Sequence, residues 1–556
     1  MRNNILKTIS ISTLASTFLL GATPNIGDIE KQIQVPKEVQ KKQQELIDIG
    51  GVKKYAPAMK DDKSGKAIFV KSFKIENAIH IDESKLQTLI SSYNGKELTF
   101  NQLQEVVNII TKEYRKQGFF VARAYLPVQD INKNDGVIVI SVIEGNYGEF
   151  KLKNNSLVKD SVVQSMLNHA KRDNIISTNT LERAMLIIND TPGAIVTSAD
   201  VMPGIVTGTS DFAITTEASN KYDGYALVDN VGSKYTGKNR LMAGVNLNSV
   251  LGYGDKISIS GLISNGEDLL NGRVAYSAPL TGSGLRGEIS YSQTNYFLVK
   301  MPSPTLDDAF KGKSKTVQGE LSYPVIRTRT ENLYTTLTYS YKDYQDNRNG
   351  TIDTRFVNQL VLGMTYDKSY LAFNKNTSSA ISLSLTGGNL NDSNNDEEGN
   401  YSKLNLDLSH NINLTQELSL STSLKTQYAL GNKNLDGSED FTVGGDNGVK
   451  LYPSGELSAE NGYVFNIEAK YKLPTNNGIS NSIGVFYDRG KAWMTDSSSD
   501  TTFEAKSLQD VGIGLYTSYK NMFSKVQVAF DANSENVTAE EPNNQSRVLF
   551  QAGLTF

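Results

Sequence analysis

YSKLNLDLSHNINLTQELSLSTSLKTQYAL, residues 401–430, decides the fold. Leu404, Leu406, Leu408, Ile412 and Leu414 fall on one side of an extended chain, and Lys403, Asn405, Asp407, Ser409 and Asn411 fall on the other. Side chains of a strand alternate between its two faces, so this pattern is a strand with one apolar and one polar face. The alternation resumes after 415–417, where Leu418, Leu420, Leu424, Tyr428 and Leu430 oppose Ser419, Ser421, Ser423, Lys425 and Gln427. Each run has about ten residues, the length of a tilted strand that crosses a bilayer between lipid and a hydrated lumen.

The same texture fills the chain from residue 222 onward. It marks about sixteen segments, beginning near Tyr222, Leu241, Lys256, Arg273, Leu285, Lys315, Leu333, Arg355, Ala380, Tyr401, Leu418, Gly462, Ser482, Leu508, Phe523 and Arg547. The gaps at 252–255, 281–284, 328–332 and 415–417 are short, whereas those at 299–314, 389–400, 431–461, 495–506 and 533–546 are long and polar. Short turns at one rim and long loops at the other are the asymmetry of an outer-membrane barrel. The gap at 369–378 is longer than this pattern wants, which leaves the strand boundaries there open. The chain ends RVLFQAGLTF, with Val548, Phe550, Ala552, Leu554 and the terminal Phe556 on one face. Such a last strand can pair with the first and hide both edges. The expectation is a 16-stranded antiparallel transmembrane β-barrel over residues 218–556, with Phe556 as its assembly signal.

Upstream the periodicity is that of an α+β part. In residues 67–145, IFVKSFKIE reads as one strand, a helix starts after Asp82, and Thr99 with Gln102 forms a capping-box pattern. Leu103, Val106, Val107, Ile110 and Tyr114 line one face of that second helix, which Gly118 ends. ARAYLPV and GVIVISVIE are two further strands. The order recurs in residues 146–217, with Asn179 and Glu182 as the cap of the second helix. An exposed strand edge in such a unit can bind an extended peptide by adding it to the sheet.

The first 22 residues have the form of a signal peptide: Arg2 and Lys7 ahead of a short apolar core, then Leu20, Gly21 and Ala22. Residues 23–66 are polar, a helix interrupted at Pro36 and a linker. The chain has no cysteine and three histidines, which leaves no disulfide or thiolate site and no His-rich metal site. A formal net charge of -4 argues against bulk nucleic-acid binding. His80, His169 and His410 lie in different modules without an evident nucleophile or base, so no catalytic site and no cofactor are expected.

One long loop stands apart. FTVGGDNGVKLYPSGE carries Lys450 and precedes a strand on which Phe486, Asp488 and Gly490 share one face with Gly484. Ile483, Val485 and Tyr487 take the other face and suit lipid, so Asp488 points inward. A loop cation and a strand carboxylate pair if the loop folds back into the barrel.

The chain resembles the two-partner secretion transporters, the haemolysin secretion/activation (TpsB, ShlB/FhaC/HecB type) family, over nearly all of its mature length. LERAMLIINDTPGAIV with VMPGIVTG resembles the family's second POTRA domain, and DNVGSKYTGKNRL, residues 229–241, its first barrel hairpin. VGGDNGVKLYPSGE resembles its sixth outer loop, and Phe486, Tyr487, Asp488, Arg489 and Gly490 its thirteenth-strand motif. The family loop motif is Val-Arg-Gly-Tyr/Phe. Here it is Val449, Lys450, Leu451 and Tyr452, and lysine lacks the planar fork by which arginine grips a carboxylate.

The resemblance implies two POTRA domains, 67–145 and 146–217, in the periplasm, and an outer-membrane barrel whose loop 432–461 is tucked into the pore. It implies a helix near 29–49 that can plug that pore. It also implies a secreted TpsA-type exoprotein, a haemolysin or adhesin, as partner. The POTRA domains capture the N-terminal secretion domain of that partner, which crosses unfolded without nucleotide hydrolysis. The further expectations are contact with outer-membrane lipids and lipopolysaccharide, insertion by the barrel assembly machinery, a monomeric state and no nucleic acid. A general outer-membrane assembly factor and a passive porin are the alternatives: the first usually carries more POTRA copies, the second none.

Overall fold

The computed structural model describes residues 33, 47–50, 67–130, 134–172, 174–299, 310–348, 350–391, 398–432, 434–496, 503, 505–539 and 545–556. The expected signal peptide and most of the segment 23–66 lie outside these residues.

The first α/β unit contains β1 (Ile68–Val70), β2 (Ser72–Glu76), α1 (Glu83–Ile90), β3 (Lys96–Leu98), α2 (Phe100–Lys116), β4 (Arg123–Tyr125) and β5 (Val137–Ile143). The stretch expected as one strand is two. β1 leaves the sheet to pair with β3, while β2 runs parallel to β5, which pairs on its other side with β4. Thr99 and Gln102 form the reciprocal cap of α2. Leu103, Val106, Val107, Ile110 and Tyr114 are all buried on its inner face. Burying each such side chain contributes about 1.5–3 kcal/mol, more than the roughly 1 kcal/mol of the cap.

The second unit repeats the plan with β6 (Asn146–Asn155), α3 (Asp160–Ala170), α4 (Thr178–Asp190), β7 (Ile195–Pro203) and β8 (Thr209–Glu217). Its sheet order is β6-β8-β7, which leaves β7 at an edge. The cap of α4 is Ser177 and not Asn179, which lies inside the helix. Ser177 is extended and its hydroxyl accepts the Thr180 N–H at 3.1 Å, so the helix starts two residues earlier than the expected Asn179 box requires.

The barrel consists of β9 (Tyr222–Asp229), β10 (Arg240–Asn248), β11 (Lys256–Ser264), β12 (Leu269–Pro279), β13 (Arg286–Phe297), β14 (Phe310–Arg327), β15 (Glu331–Arg348), β16 (Thr351–Ala372), β17 (Lys375–Asn391), β18 (Gly399–Asn413) and β19 (Leu418–Ala429). Two short strands, β20 (Phe441–Thr442) and β21 (Ser458–Ala459), pair with each other inside the long loop. β22 (Asn461–Lys472), β23 (Ile479–Trp493), β24 (Ser507–Tyr519), β25 (Met522–Asp531) and β26 (Ser546–Thr555) complete a closed ring of sixteen antiparallel strands. β26 meets β9 over five residue pairs, and Phe556 extends the seam by exchanging two 3.0 Å hydrogen bonds with Gly224.

The long gap at 369–378 is filled by strand. β16 and β17 run through it and turn on Phe373 and Asn374 alone, both at positive φ (51° and 58°). A two-residue turn with both centres left-handed matches the twist of a hairpin, and asparagine tolerates that conformation. β16 is 22 residues long, well beyond a bilayer crossing, so β14–β17 rise past the membrane.

Candidate functional site

The loop between β19 and β22 folds back into the barrel. Val443, Val449, Leu451, Tyr452 and Leu457 of the loop are buried against Val464, Phe486, Ala492, Leu508 and Ala529 of the wall. The wall makes room with glycine. A Cβ on Gly490 would lie 2.4 Å from Cγ1 of Val443, and one on Gly512 would lie 2.2 Å from the Phe486 ring. The space beside Gly484 is taken by Glu468 and Tyr516 of neighbouring strands, not by the loop.

Lys450 reaches Asp488. Its Nζ lies 2.7 Å from Oδ2 and 4.4 Å from the centre of the Phe486 ring. Asn466 donates one amide hydrogen to Oδ1 of Asp488 at 2.7 Å and the other to the Gly448 carbonyl at 2.9 Å. Asp510 stands opposite Asp488 in register and accepts the Leu451 N–H at 2.6 Å. Both carboxylates are fully buried. Leu451 is not among the residues at positive φ, so the lack of a glycine there strains nothing. Val449 donates to the Val443 carbonyl at 2.9 Å. The Tyr452 hydroxyl donates to the Glu535 carbonyl at 2.9 Å, which ties the loop to the segment after β25.

Further clasps were not evident in the sequence. Glu456 receives Lys506 at 2.9 Å and the N–H groups of Thr538 and Ala539. On the opposite wall, Glu439 receives Lys342, Lys403 and Gln359, and Asp436 pairs with Arg355. The polar faces of β18 and β19 had placed Lys403 and Gln427 inward, but nothing local said which loop carboxylate they meet. At the first hairpin, Asp229 and Arg240 form a buried bidentate pair at 2.8 and 2.9 Å.

The second α/β unit is fixed to the turn rim of the barrel. Arg327 grips Asp190 at 2.7 and 2.8 Å, Arg329 pairs with Glu182, and Arg183 donates to the Pro324 carbonyl. Residues 47–50 also lie here, not in the pore. Ile47 and Ile49 pack on the core of this unit, and Gly50 bridges to Asp200 at the outer edge of β7. The end of the expected plug helix is therefore irregular chain held by its two isoleucines. The rest of that segment, except residue 33, lies outside the described residues.

His80 and His410 have side-chain partners. His80 Nδ1 lies 2.6 Å from Glu144, whose other oxygen accepts from Tyr114, and His410 Nδ1 lies 2.9 Å from the Ser379 hydroxyl across β17 and β18. Neither set joins a nucleophile, a base and an orienting group. Among the described residues, no cluster of three carboxylates or histidines could hold a metal.

The family model for the haemolysin secretion/activation protein ShlB/FhaC/HecB matches residues 208–517, more than half of the chain. The chain belongs to this family. A ShlB-type POTRA domain matches residues 68–145, the first α/β unit. The heme/hemopexin transporter protein HuxB of Haemophilus influenzae (strain 86-028NP) is 29% identical over 471 residues, 81% of each chain. CdiB from Escherichia coli has the same fold, with a TM-score of 0.73 at 18% identity over 91% of this chain and 94% of that one. CdiB from Acinetobacter baumannii follows, with a TM-score of 0.64 at 18% identity over 95% of each. This ShlB-type protein is thus an outer-membrane transporter of the two-partner secretion class, with its POTRA part in the periplasm and a partner exoprotein as cargo.

Proposed function

We propose that this transporter recognises one large exoprotein of the haemolysin or adhesin type through both α/β units and passes it unfolded through the barrel to the cell surface. The observation that carries the reading is a loop packed inside the lumen and held there by ion pairs, above a tandem of α/β units of which the second is fixed to the rim. Lys450 and Asp488 hold the loop at rest, and Val449, Leu451, Tyr452, Phe486 and Gly490 seat it. Transport requires these contacts to open. The Gly50 bridge supports capture by strand addition, because the edge of β7 already accepts an added segment through hydrogen bonds of 2.8 and 3.1 Å.

Phe556 serves as the signal read by the barrel assembly machinery. The finished barrel sits as a monomer among outer-membrane lipids and lipopolysaccharide. A cargo that serves heme or hemopexin transport, the function in the name of HuxB, is a second reading. Deletion of residues 67–145 tests the proposal. Secretion is expected to stop while the barrel still inserts, and normal export by that deletion would refute capture by the POTRA part.

A further inference from the structure

We infer that the outer half of the lumen wall carries a peptide-binding site for an acidic pair spaced three residues apart. The loop occupies this site at rest, and passing cargo occupies it once the loop withdraws. The inference rests on the transport reading above.

Glu439 is held as a bound residue would be held. Its side-chain oxygens accept from Lys342 at 3.0 Å, from Gln359 at 2.9 Å and from Lys403 at 2.8 Å. Its backbone carbonyl accepts from Lys403 at 2.7 Å and from Gln427 at 2.8 Å. Side chain and main chain of one residue are therefore both recognised, by four side chains from four strands. Three residues earlier, Asp436 pairs with Arg355, which also holds Asp346 of the wall at 2.7 Å. Asp353 adds a second wall carboxylate near Arg355. Lys342 and Lys403 thus supply most of the cationic character that the loop neutralises.

The occupant in the structure is the chain's own segment NLDGSED, residues 434–440. Its geometry is local: Asp436 accepts the Ser438 N–H at 3.0 Å and a single 3-10 turn brings the two carboxylates to the same wall. A segment of this kind needs no fold of its own, so an unfolded chain carrying Asp-x-x-Glu can replace it. The clasp adds recognition of a residue type, and rings of charged side chains are the usual means by which a pore discriminates.

The test uses the full chain in planar bilayers, with surface level and heat-modifiability confirming a folded barrel. The variant Asp436→Asn with Glu439→Gln removes the loop's two charges from the site while keeping shape. Its chloride-to-potassium permeability ratio is expected to rise about twofold over wild type. The synthetic peptide NLDGSED should then block its current, whereas NLNGSQN should not. Adding Lys342→Gln and Lys403→Gln should abolish both the selectivity change and the block. If the four-residue variant does not fold, Glu439→Gln with and without Lys342→Gln gives the same two readouts. Equal block by both peptides, or an unchanged permeability ratio, overturns the inference. Export of the partner by the wild-type chain is measured in parallel. Its absence counts against the transport reading, whereas intact export without peptide discrimination counts against this site alone.

Discussion

Replacing Lys450 by alanine removes the cation that stands beside two facing carboxylates. Asp488 and Asp510 are cross-strand partners and both are fully buried. Lys450 bonds Asp488 at 2.7 Å and is itself only 13% exposed. Breaking a buried pair of this kind costs about 3–5 kcal/mol. Since each 1.4 kcal/mol is tenfold, the loop-in state loses a factor of roughly 10²–10³ or more against loop-out. Asp488→Ala is expected to be milder, about 1–3 kcal/mol, because Lys450 keeps the Phe486 ring and gains Asp510 as a partner. Lys450→Arg keeps the charge and should secrete near wild-type level. The swap Lys450→Asp with Asp488→Lys should recover part of what either reversal loses. The chain has no native cysteine, so Ser454→Cys gives a clean reporter. Its labelling rate by a maleimide added outside, the surface level of the barrel and the amount of secreted partner are measured together. If Lys450→Ala labels at the wild-type rate, or if Asp488→Ala is the more disruptive change, the reasoning fails.

Gly490→Val should displace Val443 from the wall and speed labelling of the same reporter, while Gly319, with nothing within 4 Å of its Cβ, should accept alanine silently. Asp190→Asn leaves the buried Arg327 without its carboxylate and should loosen the second α/β unit by about 1–3 kcal/mol, seen as wider spin-label distances between residues 190 and 327 regions. Glu144 gives a pH dependence. Burial pushes its carboxyl up, but the N–H groups of His80 and Ile79, the His80 ring and the Tyr114 hydroxyl outweigh that and hold it below the usual carboxylate range. A lowered value in the folded state stabilises above the unfolded carboxylate value and is lost as pH falls through the folded one. Hydrogen exchange of α2 in the full chain should therefore accelerate on acidification through that range, and Glu144→Gln should flatten the response.

Strand alternation made the barrel legible, because a two-residue period exposes every inward residue once the lipid face is known. It also placed Lys403, Gln427 and Asp488 on the lumen side. What remained hidden was set by tertiary packing. The Phe373 and Asn374 turn carries no glycine, so the bounds of its two strands stayed open. Ser177 and Asn179 both suit a helix cap, and only the extended backbone at Ser177 decides between them. Asp510 shares the polar face of β24, but its pairing with Asp488 depends on the register between two strands. Glu439 sits in a polar loop among other acids, and its partners lie 12 to 97 residues away in sequence.

Export in a purified system addresses transport most directly. The chain is reconstituted in liposomes of outer-membrane lipid, oriented with its POTRA part outside, and the unfolded N-terminal secretion domain of its partner is added without nucleotide. The domain is expected to become protease-protected inside the vesicles. No protection, or equal protection with a chain lacking residues 67–145, would contradict transport through this barrel by way of its POTRA part.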